Sequence, residues 1–358
     1  MHLKQLGWDS FFEQHFEPFR NEGCVPARVA REHKELYLVY CEDRELAAKV
    51  SGRFRHNASA RSDFPAVGDW VAIESRLEEG KATIHGTLPR KSSFCRKVAW
   101  VKTEEQVIAA NIDTVFLVSG LEGDFNLRRI ERYLTVAWES GARPVVVLNK
   151  ADLCPDVDRG IAEAQAVAIG VPVHAVSAIN GQGLEALREY IAAGTTAALL
   201  GSSGVGKSTL INHLLGTESL RVGAVREDDG RGRHITTWRE LVLLPGGGVM
   251  IDTPGMRELQ LWADKGSLES SFEDIAGLAH ACRFTDCRHK TEPGCAVREA
   301  IEEGTLDEGR LRSYLKLKKE LAYLAVRKDL RARIYEKNRW KQVAKWARER
   351  ERHDPKCQ

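Results

Sequence analysis

Hydrophobic and polar positions change period several times along the chain. Near the start, Trp8, Phe12, Phe16 and Phe19 share one face of a short amphipathic helix, with Phe11 beside them, and this stripe reads as core packing. From residue 24 to 98 short apolar runs are divided by turn residues: "VPARVARE", "ELYLVYCE", "RELAAKVSG", "VGDWVAIES" and "KATIHGTLPR". Five short strands in such a span predict a small barrel, and the OB-fold fits, with Gly52 and Gly68 at bends. From about residue 107 buried-strand runs alternate with helical periodicity: "TVFLVSG", "NLRRIERYLTVAWESG", "PVVVLNK", "DRGIAEAQAVAIG", "VPVHAVSA", "GLEALREYIAAG", "TAALLGSSGVGKS" and "TLINHLLG". That alternation predicts a doubly wound, mainly parallel α/β sheet. "RELVLLPGGGVMIDTPG" reads as a pair of strands, residues 267–330 as helices interrupted by a cysteine-rich stretch, and roughly 307–350 as a long basic helix.

Composition narrows the class only a little. The 358 residues are 43% hydrophobic and 29% charged, as in ordinary soluble globular proteins. No apolar run approaches the ~20 residues of a membrane span, and "MHLKQLGWDSFFEQHFEPF" lacks the pattern of a secretory signal. The expectation is a cytoplasmic protein without membrane attachment. The net charge of +2 conceals an asymmetry: residues 310–352 hold sixteen Lys/Arg against five Asp/Glu. Such a bias suits an anionic partner and equally suits a solvated helical face. Basic residues also recur around the barrel, at Arg53, Arg55, Arg61, Arg90, Lys91, Arg96 and Lys97, and OB-folds often bind oligonucleotides through one face and its loops.

The chemistry is carried by the α/β region. Gly201-Ser202-Ser203-Gly204-Val205-Gly206-Lys207-Ser208-Thr209 matches the phosphate-loop pattern G-x-x-x-x-G-K-[ST] between an apolar strand and an amphipathic helix. Its backbone N–H groups and the following helix N-terminus would cradle phosphates. Lys207 would reach the β- and γ-phosphates, and the Ser208 hydroxyl would bind Mg²⁺. Asn149-Lys150-Ala151-Asp152 closes a buried strand and fits the guanine signature N-K-x-D. A carboxylate at Asp152 can accept from guanine N1–H and the N2 amino group; beside adenine it would be left unpaired, costing about 1–3 kcal/mol. Asn149 would bond N7, and the Lys150 stem would cover the base. "VSAIN" supplies a companion loop in which Ser177 and Ala178 would approach O6 through the Ala178 N–H. "VMIDTPG" places Asp252 where a magnesium-site carboxylate is needed and the Gly255 N–H toward the γ-phosphate. "VREDDGRGRHITTWREL" between them suits a mobile switch, with Thr236 and Thr237 as alternative Mg²⁺ or γ-phosphate contacts. Met256 follows Gly255, where many GTPases carry a water-orienting Gln, so His234 becomes the candidate for that task beside the bland reading of a surface-loop histidine. A site lacking that Gln should be slow alone and need a partner to order it.

Of eight cysteines, Cys282, Cys287 and Cys295 cluster, and His289 completes a set spaced C-x4-C-x-H-x5-C. Three thiolates and an imidazole make a closed tetrahedral set suited to one structural Zn²⁺, with no open position for a catalytic water.

The base loops precede the phosphate loop, the switch and D-x-P-G, whereas in familiar small GTPases they come last; the order is circularly permuted. This permuted order, "GRGRHITT" and the cysteine spacing together resemble the ribosome-biogenesis GTPases called RsgA or YjeQ, over nearly the whole chain. Ile235 departs from that family's switch, which is usually written with three threonines after the histidine. The resemblance implies a helical extension at 1–23, an OB-fold at 24–100, a circularly permuted P-loop GTPase domain at 101–264, and a mainly α-helical zinc-binding domain with a basic C-terminal helix at 265–358. It further implies hydrolysis of GTP to GDP and phosphate by a monomer acting late in maturation of the 30S ribosomal subunit. The protein would bind that particle and its 16S rRNA in the GTP state and leave on hydrolysis. A permuted GTPase of the large subunit, and an RNA-binding protein using nucleotide only structurally, are the competing readings. The barrel before the GTPase region argues against the first, and the complete Lys207/Ser208/Asp252 set against the second.

Overall fold

The computed structural model describes residues 2–33, 35–42, 44–97, 105–216, 240–252 and 265–322. Helix α1 (Ser10–Arg20) starts where Asp9 accepts from the N–H groups of Phe11 and Phe12. Its buried Phe12 and Phe16, with Trp8 just ahead of the helix, pack on the fully buried Trp70; the Trp8 and Trp70 rings meet edge-on at 4.7 Å. The aromatic stripe is therefore core, as its spacing predicts.

Trp70 opens a strand of the barrel, which is built from β1 (Val25–His33), β2 (Leu36–Cys41), β3 (Arg44–Val50), β4 (Trp70–Arg76) and β5 (Lys81–Thr87), with helix α2 (Gly52–Asn57) following β3. The strands run in the order β1-β2-β3-β5-β4, and β4 pairs back to β1 from Val25↔Ile73 to Arg28↔Trp70. All pairings are antiparallel except β3–β5. Side chains alternate along β3 and β5, and the inward set, including Val29, Val39, Leu46, Ile73 and Ile84, fills the barrel. This closed five-stranded barrel with one parallel pair has the OB-fold arrangement.

A hairpin that the hydrophobic pattern did not announce, β6 (Ser93–Lys97) with β7 (Glu105–Ala110), leads out of the barrel. Arg28 locks this junction from inside. Only 1% exposed, its guanidinium donates to the carbonyls of Leu6, Gly68 and Asn111, which ties the N-terminal segment, the barrel and the entry to the next sheet together. Burial pulls its pKa down to about 10.

The second sheet holds β8 (Thr114–Gly120), β9 (Arg143–Asn149), β10 (Val173–Ala175), β11 (Thr196–Gly201), β12 (Glu240–Leu243) and β13 (Val249–Asp252), in the order β10-β9-β8-β11-β13-β12. It is parallel except for β12, which also meets β1 at Arg31↔Glu240, where those two side chains form an ion pair. Every residue of β8 and β11 is buried, as expected for central parallel strands. Helices α3 (Leu127–Ser140), α4 (Val157–Val167), α5 (Glu185–Arg188) and α6 (Lys207–Leu215) connect them. The run "GLEALREYIAAG" predicts a longer helix than the single turn found. After it the chain tightens into i→i−3 bonds, Tyr190 N–H to Leu187 O and Ile191 N–H to Arg188 O, which keep Leu184, Leu187 and Ile191 seated on the sheet.

The C-terminal region adds α7 (Lys265–Ser271), α8 (Glu273–His280), α9 (Ala296–Glu302) and α10 (308–322). Leu268, Phe272 and Ile275 share one core with Ile130 and Leu134 of α3. Arg310 is buried in that seam. It bonds both oxygens of Asp274, at 2.6 and 2.8 Å, and Glu131 Oε1 at 3.0 Å, and its guanidinium lies 4.8 Å above the Phe272 ring. Arg132 and Glu320 form a second, half-exposed bidentate pair across the same seam. Replacing Arg310 by Ala strips Asp274 of its bidentate partner and leaves the buried Glu131 to Arg128 alone, which should lower unfolding stability by about 1.5–3 kcal/mol. Arg132→Ala should lower it by about 1 kcal/mol or less. Denaturant unfolding of both variants checks the contrast, and equal losses would contradict it.

Candidate nucleotide site and cysteine–histidine cluster

Strand β11 ends at Gly201 and α6 begins at Lys207, so the phosphate-loop sequence sits between a central strand and a helix N-terminus, where a phosphate loop must lie. Gly206 has φ +97°, and a Cβ there would come within 2.3 Å of Asn149 Nδ2. Glycine is thus required both for the backbone turn and for the approach of the neighbouring loop. The Lys207 ammonium donates to the carbonyls of Gly201 at 2.9 Å and Ser202 at 2.5 Å, which curls it back over the loop.

Asn149 ends β9 next to β8 and is 2% exposed. Its Nδ2 donates to Val205 O at 2.7 Å in the phosphate loop, and its Oδ1 accepts from the Ala178 N–H at 3.0 Å. One side-chain amide therefore joins three loops that the sequence keeps far apart. The arrangement also adds a condition to the reading of the companion loop. The Ala178 N–H is engaged by Asn149, so reading guanine O6 through it requires that bond to be shared or exchanged. Lys150 takes the left-handed conformation at φ +63°, after which Ala151–Leu153 form a turn that leaves Asp152 exposed at the mouth. Ser177 is fully buried, and its N–H donates to Gln182 O.

Asp252 ends β13, the parallel neighbour of β11. It is 8% exposed, and its Oδ2 has no hydrogen-bond partner among the described residues. Burial, reinforced by the charge of Glu240 and opposed by Lys207, pushes its carboxyl up to about 6. An orphaned, reluctantly charged carboxylate beside a phosphate loop is what a magnesium site needs, because the cation supplies the missing partner. His234, Thr236, Thr237 and Gly255 lie outside the described residues.

The second cluster lies between α8 and α9. The ligand atoms of Cys282, Cys287, His289 and Cys295 all fall within 4.8 Å of one another, and His289 turns Nδ1 toward Cys282 Sγ at 3.7 Å and Cys295 Sγ at 3.5 Å. Four converging soft ligands can hold one metal ion. Glu292, which the spacing did not single out, shapes the knuckle: its carboxylate accepts from the N–H groups of Lys290, Arg288 and Thr291. Those bonds, Lys290's foremost, hold its pKa near about 2.

The basic positions around the barrel separate into two kinds. Arg90 is structural: it grips the fully buried Asp69 bidentately, at 2.7 and 2.8 Å, and the carbonyls of Ser62 and Phe64. Arg55 pairs with Glu35 and Lys91 with Asp9, whereas Arg53 and Arg61 stand exposed. The side chains of Arg96 and Lys97 lie outside the described residues.

The family model described as RsgA GTPase matches residues 87–262, and one described as 50S ribosome-binding GTPase matches residues 196–351. A small ribosomal subunit biogenesis GTPase RsgA from Opitutus terrae is 50% identical over 98% of both chains. A homologous RsgA 1 from Oceanobacillus iheyensis is 48% identical over 89% of this chain and 91% of its own. Among solved structures, YjeQ from Thermotoga maritima superposes with a TM-score of 0.63 at 29% identity, over 84% of this chain and 99% of that one. YloQ, described as a circularly permuted GTPase, shares the fold with a TM-score of 0.59 at 22% identity, over 84% and 95% of the two chains. With its nucleotide loops in permuted order behind an OB-like barrel and ahead of a Cys₃His cluster, the chain belongs to the RsgA family of GTPases.

Proposed function

We propose that this protein hydrolyses GTP in the cytoplasm to assist late maturation of the small ribosomal subunit. It would bind that subunit and its 16S rRNA as a GTP-loaded monomer and dissociate after hydrolysis. The observation that carries the reading is the Asn149 bracket, which sets a guanine-type loop, its companion and a phosphate loop around one space. The names of the full-length relatives supply the ribosomal assignment.

In this reading Asp152 recognises the guanine N1–H and N2 amino group, the 201–209 loop holds the phosphates, and Lys207 offsets the charge that develops on the γ-phosphate. Ser208, Asp252 and one of Thr236 or Thr237 would hold Mg²⁺, which would supply charge neutralisation for the phosphates. His234 orients the attacking water, and the Gly255 N–H registers the γ-phosphate. The Cys₃His cluster takes Zn²⁺ in a structural role, since its four protein ligands leave no position for substrate. The exposed Arg53 and Arg61, together with the basic C-terminal sequence, of which residues 323–358 lie outside the described residues, would be offered to rRNA.

Steady-state GTP turnover should rise strongly with purified small subunits and little with large subunits. Stimulation by the large subunit instead would favour the reading suggested by the match to a 50S ribosome-binding GTPase, and no response to either particle would contradict the proposal.

Asp252 adds a pH-dependent expectation. Its folded pKa of about 6 lies above the ordinary 3.8, so without Mg²⁺ its contribution to stability is present in acid and lost as pH rises between those values. Asp252→Asn should therefore stabilise the magnesium-free protein by about 1–3 kcal/mol at pH 7 and little at pH 4, while abolishing Mg²⁺-dependent hydrolysis. Denaturant unfolding at both pH values checks the sign. A variant less stable than the parent at pH 7 would show that this carboxylate is already paired.

A further inference from the structure

The loop joining β8 to α3, residues 121–126, belongs to none of the nucleotide motifs, yet its two acids reach both nucleotide loops. Glu122 Oε2 lies 3.8 Å from Lys150 Nζ, at the base-reading loop. Asp124 accepts a hydrogen bond from the hydroxyl of Ser202, inside the phosphate loop. The same carboxylate is paired with Arg129, from the first turn of α3. The backbone of Asp124 is held too, since its carbonyl accepts from Ser119 Oγ at 3.4 Å.

Ser202 matters because of what its backbone does. Its carbonyl and that of Gly201 both accept from the Lys207 ammonium. The peptide carrying one of those carbonyls is thus fixed by its own side chain to Asp124. The position of the phosphate-binding lysine is set by a chain running from Arg129 through Asp124 and Ser202. A bare carboxylate this close to a triphosphate would repel it, and the Arg129 guanidinium supplies the balancing charge.

We propose that Asp124 is a positioning residue for GTP hydrolysis, holding Ser202 so that the Gly201 and Ser202 carbonyls direct Lys207 at the nucleotide phosphates. It acts through Ser202 and Lys207 and touches no reacting atom. The inference rests on the GTPase reading of this site and adds to it a residue from a loop without a nucleotide motif. The permuted order puts that loop ahead of every nucleotide motif in the chain, so its acid acts on a loop some eighty residues downstream.

The test is single-turnover hydrolysis of GTP by the full-length protein in saturating excess, with GTP binding measured in parallel. Ser202→Ala removes the hydroxyl without disturbing the Asp124–Arg129 pair. It should lower the single-turnover rate about tenfold, with an unfolding midpoint close to that of the parent. Asp124→Ala should lower the rate by a similar factor, and Asp124→Asn, which keeps an acceptor for the hydroxyl, should stay within about threefold of the parent. The double variant, Ser202→Ala with Asp124→Ala, should be no slower than the slower single variant, because both changes break one link. A parental rate in Ser202→Ala, or rate losses that multiply in the double variant, would overturn the proposal. Absence of GTP hydrolysis by the parent protein would instead overturn the reading on which it rests.

Discussion

The buried amide of Asn149 is the constraint on which the nucleotide site depends. A side chain 2% exposed must satisfy both its donor and its acceptor or bear the cost of desolvating them, about 1–3 kcal/mol for each polar group left unpaired. It does so by bonding Val205 O and the Ala178 N–H, which are separated from it by 56 and 29 positions. The parallel sheet makes this possible. Strands β9 and β11 flank β8 and end on the same edge, so the loops that follow them face one another. The requirement for glycine at 206 follows from the same contact, since any side chain there would occupy the space of Asn149 Nδ2.

Permutation of the chain changes what this edge is connected to. Helix α3 begins beside the phosphate loop, where Arg129 meets Asp124, and its next turns carry Glu131 and Arg132, which are gripped by Arg310 and Glu320 of α10. Along the chain, β13 with Asp252 leads toward α7 and the Cys₃His knuckle. The C-terminal region is therefore attached to the nucleotide edge twice, once through the backbone and once through a buried ion network. Arg310 is suited to that second attachment because its planar guanidinium bonds Asp274 bidentately and Glu131 at the same time. On the other side, Arg28 ties the barrel to the same body through the Asn111 carbonyl, and Trp70 packs the N-terminal segment onto the barrel.

Much of this was legible in the sequence because it depends on local pattern. The five barrel strands, the alternating strands and helices, the phosphate loop and the Cys₃His spacing are all encoded within short windows. What escaped depends on pairings between distant residues. The β6–β7 hairpin is made of short, unremarkable runs that become strands only by pairing with each other. Arg90 counts as a basic patch residue until Asp69, twenty-one positions away, is seen to neutralise it. Asp124 is one of two acids in a short loop without a nucleotide motif, and nothing in its neighbours announces Ser202. The Ala178 N–H was assigned to the base from its motif, but the motif does not say that Asn149 already holds it.

The central claim is that this permuted edge reads guanine through Asp152. The most direct measurement is equilibrium binding of GTP, ATP and xanthosine triphosphate to the parent protein and to Asp152→Asn. Xanthine replaces the guanine N2 amino donor with a carbonyl acceptor, so a carboxylate should reject it and a carboxamide, which offers both a donor and an acceptor, should accept it. The account predicts that the parent binds GTP far more tightly than the other two, and that Asp152→Asn exchanges GTP for xanthosine triphosphate while ATP stays weak. A variant that still prefers GTP, or a parent that binds ATP as tightly as GTP, would contradict it.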